Sequence, residues 1–204
     1  MQLYYKPGAC SLAAHIVLIE AGVPFDLVAV DTDTQRTGLG EDYRAINRKG
    51  YVPTLRLADG RTLSEGAAVL QFIADRHPEA GLAPHAGSFA RAELQEHLNY
   101  IASEVHKAFK PFFAGPTVEG EAREAAAAHV LDRLGHMEAV LADGRPYLDG
   151  ETFSVADAYL FVVAGWAGHV GISLADLPRL ERFLARVAER QSTRAAQRAE
   201  GLLT

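Results

Sequence analysis

Up to about residue 77 the chain alternates short apolar runs with stretches of helical spacing, and from about residue 88 it is helical throughout. Gln2–Tyr5 is brief and extended, and Lys6-Pro7-Gly8 breaks it. Across residues 11–21, Leu12, Ile16 and Ile19 recur at helical spacing, and Gly22 with Pro24 supplies the stop. Asp26–Asp31 alternates as a strand, and a polar loop leads to a short helical piece over residues 42–47. Residues 54–58 and 61–63 flank Asp59-Gly60, a dipeptide suited to a tight hairpin. Ser64 is expected to cap a helix whose apolar face is Val69, Leu70 and Ile73. The predicted order is β-α-β-α-β-β-α, with the last two strands antiparallel.

Residues 78–87 (PEAGLAPHAG) are rich in proline and glycine and carry no periodicity, as a linker does. One long helix is predicted over 88–113, with Leu94, Leu98, Ile101, Val105, Phe109 and Phe112 on one face, and further helices over 121–141, 154–170, 177–189 and 192–199. Ser154-x-x-Asp157 after Phe153 reads as a structural capping box. The expected architecture is α/β plus all-α: a first domain over 1–77, the linker, and an all-helical domain over 88–204.

Composition narrows the function. Twenty basic residues against 26 acidic ones give a net charge of −6, and no basic stripe is visible, which argues against a nucleic-acid partner. The single cysteine, Cys10, cannot form an internal disulfide. No apolar run approaches membrane-spanning length and the start lacks a signal-peptide pattern, so a cytoplasmic protein is expected. The histidines show no metal-binding spacing, and Tyr43 stands where the third glycine of a dinucleotide loop beginning at Gly38 would fall, so neither a metal nor a nucleotide cofactor is expected.

Four patterns carry candidate chemistry. Cys10 and Ser11 fall at a strand-to-helix turn, where free backbone N–H groups and the helix dipole favour a thiolate, with Tyr5 at the end of the strand before it. A serine cap beside an inert buried cysteine is the competing reading. Val52-Pro53 leads into a strand, and a cis bond there would free backbone for a ligand. Glu65 and Gly66 at a helix start suit an ammonium and a carboxylate, although an ordinary acidic first turn has the same look. Asn99, Ser103 and His106 share one helix face, which is either a solvated face or a polar binding stripe about 10 Å long.

Read together, YKPGACSL, NRKGYVPTL, SEGAAVLQFIADRHP, LNYIASEVHKAF and FSVADAYLFVVAGW resemble the glutathione transferases over essentially the whole chain, most closely the bacterial beta class. The resemblance implies a thioredoxin-like first domain that binds glutathione as co-substrate, and a homodimer. It implies that Val52, before a cis Pro53, pairs with the cysteinyl part of glutathione, and that Glu65 and Gly66 hold its γ-glutamyl end. Cys10 would stand beside the glutathione sulfur, with Ser11 and Tyr5 in positions that donate to a thiolate in other classes. Asn99 and Ser103 would contact the tripeptide, while His106 and Lys107 would lower a thiol's pKa or donate to its thiolate.

Two departures from the family pattern stand out. Gln35 occupies the place of a lysine that contacts the glycyl carboxylate, with Arg36 adjacent, and Arg48 and Tyr51 replace a proline and a glutamine. Phe109, Phe113 and Trp166 are candidates for an apolar acceptor pocket, and equally for core. The leading expectation is conjugation of the glutathione thiolate to an apolar electrophile, with thiol–disulfide exchange through Cys10 as an added activity. The alternatives are a non-catalytic ligand-binding or regulatory protein of the same fold, and a glutathione-dependent isomerase.

Overall fold

The protein is described by a computed structural model covering residues 1–113 and 115–203. Contacts gather it into two compact units, residues 1–83 with 189–204, and residues 84–188. The sequence grouped all of 88–204 together, but the last helix packs with the first unit.

The first unit holds β1 (Gln2–Tyr5), α1 (Ser11–Glu20), β2 (Asp26–Asp31), β3 (Arg36–Thr37), α2 (Tyr43–Ile46), β4 (Thr54–Arg56), β5 (Thr62–Ser64) and α3 (Gly66–Arg76). Its sheet runs in the order β3-β2-β1-β4-β5. β1 pairs parallel to β2, with Leu3 opposite Leu27, and antiparallel to β4, with Leu3 opposite Leu55. The expected hairpin joins β4 to β5: Gly60 has φ 87°, and the Leu57 N–H donates to the Arg61 carbonyl at 2.8 Å. β3 is too short to leave a period in the sequence. With β3 added, this is the element order that the pattern predicted, and the thioredoxin-like arrangement that the family resemblance implied.

The second unit starts with α4 (Phe89–Tyr100), capped by the Ser88 hydroxyl, which accepts the Arg91 N–H at 3.1 Å. The single helix expected over 88–113 is instead interrupted. After α4 comes a π-helical turn at Ile101–Val105, then α5 (His106–Ala108) and α6 (Lys110–Phe113). The remaining helices are α7 (Gly120–Val140), α8 (Val155–His169) and α9 (Pro178–Ala188). α8 is buried at eleven of its fifteen positions, because α4 and α9 both pack on it. Its capping box forms: the Asp157 carboxylate accepts the Ser154 N–H at 2.7 Å and the Ser154 hydroxyl at 2.8 Å. Its other oxygen accepts the Leu148 N–H at 2.8 Å.

From Glu189 the chain rejoins the first unit as α10 (Gln191–Ala199), packed on α1. β1, α3 and α10 all pack against α1, so residues 11–18 are buried without a break and no polar face remains. Glu20 receives Arg190 and the Ser192 hydroxyl, which ties the end of α1 to the start of α10. Among the described residues no helix is long and apolar enough to cross a membrane.

Candidate active site

Cys10 occupies the N-cap position of α1, where the sequence placed the start of that helix. Its thiol donates to the Val52 carbonyl at 3.2 Å. The helix start was expected to favour a thiolate, and the backbone N–H groups of Cys10 and Ser11 do act in that direction. Burial is the larger effect, and the charge of Glu65 adds to it: the thiol is pushed up to about 12. Part of the residue reaches the surface, yet the protein packed around the sulfur makes it a protonated hydrogen-bond donor at neutral pH.

Ser11 is fully buried, and its hydroxyl accepts the Lys6 N–H at 3.2 Å and donates to the Lys6 carbonyl at 3.3 Å. It closes the strand-to-helix turn rather than facing a ligand thiolate as expected. Tyr5 lies on the side of α1 that carries His15, with ring centroids 6.3 Å apart. Burial, and then the charge of Glu200, raises the Tyr5 hydroxyl above its ordinary pKa. The family resemblance implied both as thiolate donors; the Ser11 hydroxyl is spent on the Lys6 backbone.

The turn carrying Cys10 is held from the far end of the chain. The buried Glu200 carboxylate accepts the Gly8 N–H at 3.0 Å and pairs with His15 Nδ1 at 2.9 Å. No local signal in the sequence marks this contact.

The Val52-Pro53 peptide bond is cis. Around it lies a buried polar frame that sequence reasoning missed. The Tyr43 hydroxyl donates to the Tyr51 carbonyl at 2.6 Å and meets the Thr54 hydroxyl at 2.7 Å. Asn47 Nδ2 donates to the same carbonyl at 2.8 Å and to Thr54 Oγ1 at 3.0 Å. The backbone of residues 51–54 is thereby presented in one conformation.

Glu65 stands between β5 and α3 with φ 74°, a left-handed conformation unusual for a residue with a side chain. Ser64, expected as the cap, is the last residue of β5. Gly66 opens α3, as expected, so its N–H faces outward along the helix axis. The Glu65 carboxylate receives the Lys49 ammonium at 2.6 Å.

Gln35 is used differently from its expected part as a carboxylate contact. Its Nε2 donates to the Thr32 carbonyl at 2.6 Å and the Gly50 carbonyl at 3.2 Å, and its Oε1 is buried without a hydrogen-bond partner. With both amide donors committed to backbone, the side chain offers nothing to an anion. The neighbouring Arg36 reaches the Gly40 carbonyl at 3.3 Å.

In the second unit, Asn99 and Ser103 are exposed and His106 is half-buried. The π turn falls between the first and last of them: the His106 N–H donates to the Ile101 carbonyl, five residues back. A wider turn takes more residues per revolution, so His106 falls behind the position that a straight α-helix would give it. His106 Nδ1 lies 2.9 Å from the Tyr159 hydroxyl, and its ring meets Trp166 edge-on at 4.9 Å. Burial, and then the Lys107 charge, lowers the His106 pKa, so the ring is neutral at pH 7.

Phe113 and Trp166 pack edge-on at 5.3 Å, with Phe113 51% exposed. Phe109 is fully buried and is therefore core rather than pocket wall. No group of three or more His, Cys, Asp or Glu among the described residues is arranged to hold a metal.

A thioredoxin-like unit with a cis-proline frame, an N-cap cysteine and an acidic helix start, continued by an all-helical unit, defines a class of thiol-binding protein. Residues 8–76 match the glutathione S-transferase N-terminal domain model and residues 120–186 the C-terminal domain model. The chain is 44% identical to glutathione S-transferase GstA of Escherichia coli O157:H7, with 99% of this chain and all of that one covered. It is similar to the bacterial beta class glutathione S-transferase of Sphingomonas chungbukensis, at 45% identity and a TM-score of 0.94 over the full length of both chains. It is equally similar to a sphingomonad glutathione S-transferase complexed with glutathione, at 46% identity and a TM-score of 0.93, again with both chains fully covered. The chain belongs to the glutathione S-transferase family, in its bacterial beta class. It is a glutathione transferase enzyme.

Proposed function

We propose that the enzyme conjugates the thiolate of bound glutathione to an apolar electrophile, and that Cys10 takes part as a protonated donor. The observation that carries this reading is the Cys10 S–H bond to the Val52 carbonyl. An extended tripeptide pairing with Val52 brings its cysteinyl N–H to that carbonyl. Cys10 then loses its acceptor and turns to the nearest new one, the glutathione sulfur. A donor at that sulfur stabilises the thiolate and lowers its pKa. The thiolate forms a carbon–sulfur bond to the electrophile, and the leaving group departs with its bonding pair or, in an addition, the acceptor takes up a proton.

His106, neutral and half-buried, is the second donor in this reading, and the partly exposed Phe113 and Trp166 beside it receive the apolar acceptor. Glu65 takes the γ-glutamyl ammonium and the Gly66 N–H its carboxylate, while Asn99 and Ser103 lie along the tripeptide. Thiol–disulfide exchange through Cys10 ranks second, because a thiol held at about 12 presents little thiolate to attack a disulfide. The enzyme acts in the cytoplasm as a homodimer, in which Phe89, 79% exposed at the start of α4, finds cover.

The test pairs two measurements on wild type and Cys10→Ala: conjugation of an electrophilic aryl halide, and intact mass after incubation with oxidised glutathione. Conjugation that falls in the variant, with little adduct on wild type, supports the donor role. A quantitative glutathione adduct on wild type, with conjugation absent, would replace transfer by redox exchange. Elution at the 22.0 kDa monomer mass would refute the dimer.

A further inference from the structure

Lys49 sits beside the γ-glutamyl subsite on a turn that fixes where its side chain begins. Asn47 Oδ1 accepts the Lys49 N–H at 3.1 Å, and the Gly50 N–H donates to the Asn47 carbonyl at 2.9 Å. Gly50 has φ 71°, and a Cβ there would come within 2.5 Å of Gln35 Oε1, so the turn favours glycine. From this point the Lys49 ammonium reaches Glu65 Oε1 at 2.6 Å and Ser64 Oγ at 3.3 Å.

Glu65 holds a left-handed backbone conformation that glycine would adopt without strain. A strained residue of this kind points to a use for its side chain. That side chain supplies a carboxylate at the entry to an eleven-residue helix, with a lysine already on it.

A γ-glutamyl end carries an ammonium and a carboxylate on one carbon. When its ammonium takes Glu65, Lys49 loses the position it holds in the empty site. We propose that Lys49 is a specificity residue that exchanges partners: it neutralises Glu65 in the empty subsite and crosses to the ligand's α-carboxylate when the ligand's ammonium replaces it. This rests on the assignment of the subsite to the γ-glutamyl end. One ammonium replaces another on Glu65, and the released one meets the incoming carboxylate together with the Gly66 N–H. No charge is left without a counter-ion in either state, which keeps the cost of desolvating the zwitterion low. Lys49 thereby selects ligands that carry the carboxylate as well as the ammonium.

Calorimetric titration of the full-length protein with glutathione, and with its analogue lacking only the α-carboxylate, tests this in wild type, Lys49→Gln and Lys49→Arg. Thermal unfolding checks that each variant is folded. Lys49→Gln should weaken glutathione binding about fivefold to tenfold. It should not weaken the analogue, whose ammonium then meets no competitor on Glu65 and should bind as tightly or somewhat tighter, and Lys49→Arg should restore most of the glutathione loss. Equal weakening of both ligands would make Lys49 a structural residue and overturn the proposal. Tighter glutathione binding in Lys49→Gln would overturn it too, since Lys49 would then only compete for Glu65. Wild type that binds neither ligand would overturn the subsite assignment and the inference with it.

Discussion

The Cys10 thiol donates to the Val52 carbonyl at 3.2 Å, so the only cysteine and the backbone beside the cis bond are joined before any ligand arrives. Burial raises this thiol from 9.0 to about 12. At pH 8 the native protein should therefore present about a thousandfold less thiolate than a free thiol. Alkylation by iodoacetamide should be about a hundredfold slower once the greater nucleophilicity of the more basic thiolate is counted. The rate should rise steadily with pH and reach no plateau below about 12. Unfolding in urea should restore ordinary reactivity. A native alkylation profile with its midpoint near neutral pH would mean that the N–H groups at the helix start outweigh burial.

His106 and Tyr159 form the corresponding pair in the helical unit, 2.9 Å apart. Removing the Tyr159 hydroxyl leaves the imidazole without the group that fixes its rotation, so Tyr159→Phe should lower kcat/KM several-fold while costing only about 1 kcal/mol of stability. Lys107 is the charge that holds the His106 pKa down after burial. Lys107→Gln should therefore move the acidic limb of the pH–rate profile upward, towards the ordinary histidine value. The proton on His106 opposes folding: stability tied to this group is present above its unfolded pKa and is lost as pH falls through the lowered folded value. A limb that stays in place in Lys107→Gln would count against His106 as the titrating group.

Glu200 links the end of the chain to its beginning, through the Gly8 N–H at 3.0 Å and His15 at 2.9 Å. Cutting it to alanine removes one acceptor from the Gly8 N–H and takes the carboxylate from the buried His15 imidazole, at a cost of about 2–4 kcal/mol in urea unfolding. Because His15 and Glu200 act as one unit, the His15→Ala, Glu200→Ala double variant should lose clearly less than the sum of the singles. Strict additivity would show the pair to be independent.

The features that were legible in the sequence are those whose causes are local. Asp59-Gly60 makes its turn, and Ser154 with Asp157 makes its capping box, because every participating atom lies within a few residues. The contact of Glu200 with Gly8 spans 192 positions, and no pattern announces it. Burial of α1 on all sides erased the amphipathic signal that would have distinguished its faces, and a two-residue strand such as β3 has no period to detect. The π turn at Ile101–Val105 keeps the apolar spacing of an ordinary helix, so the interruption stayed hidden. In the site, motifs singled out Cys10, Val52, Glu65 and His106 from the sequence alone, and the positions of Cys10 at the start of α1 and of Val52 before the cis bond follow from local sequence. Partners were not legible: Ser11 and Gln35 spend their hydrogen bonds on backbone, which depends on where the chain has folded rather than on spacing.

Asp157 gives a pH test of the helical unit. Its carboxylate accepts the Leu148 N–H, the Ser154 N–H and the Ser154 hydroxyl. Burial nevertheless dominates these three donors and, with the nearby Asp149 charge, raises the group from 3.8 to about 7. The folded state therefore holds a proton here that the unfolded chain releases near pH 4, and stability from this group is fully present below that value and lost as pH rises through about 7. Asp157→Asn cannot titrate and turns an N–H₂ towards one set of these donors, so it should cost about 2–4 kcal/mol near pH 4. The stability advantage of wild type over Asp157→Asn should shrink between pH 4 and pH 8 when both are followed by urea unfolding. An advantage that grows over that range would mean that the three donors outweigh burial and hold Asp157 ionised.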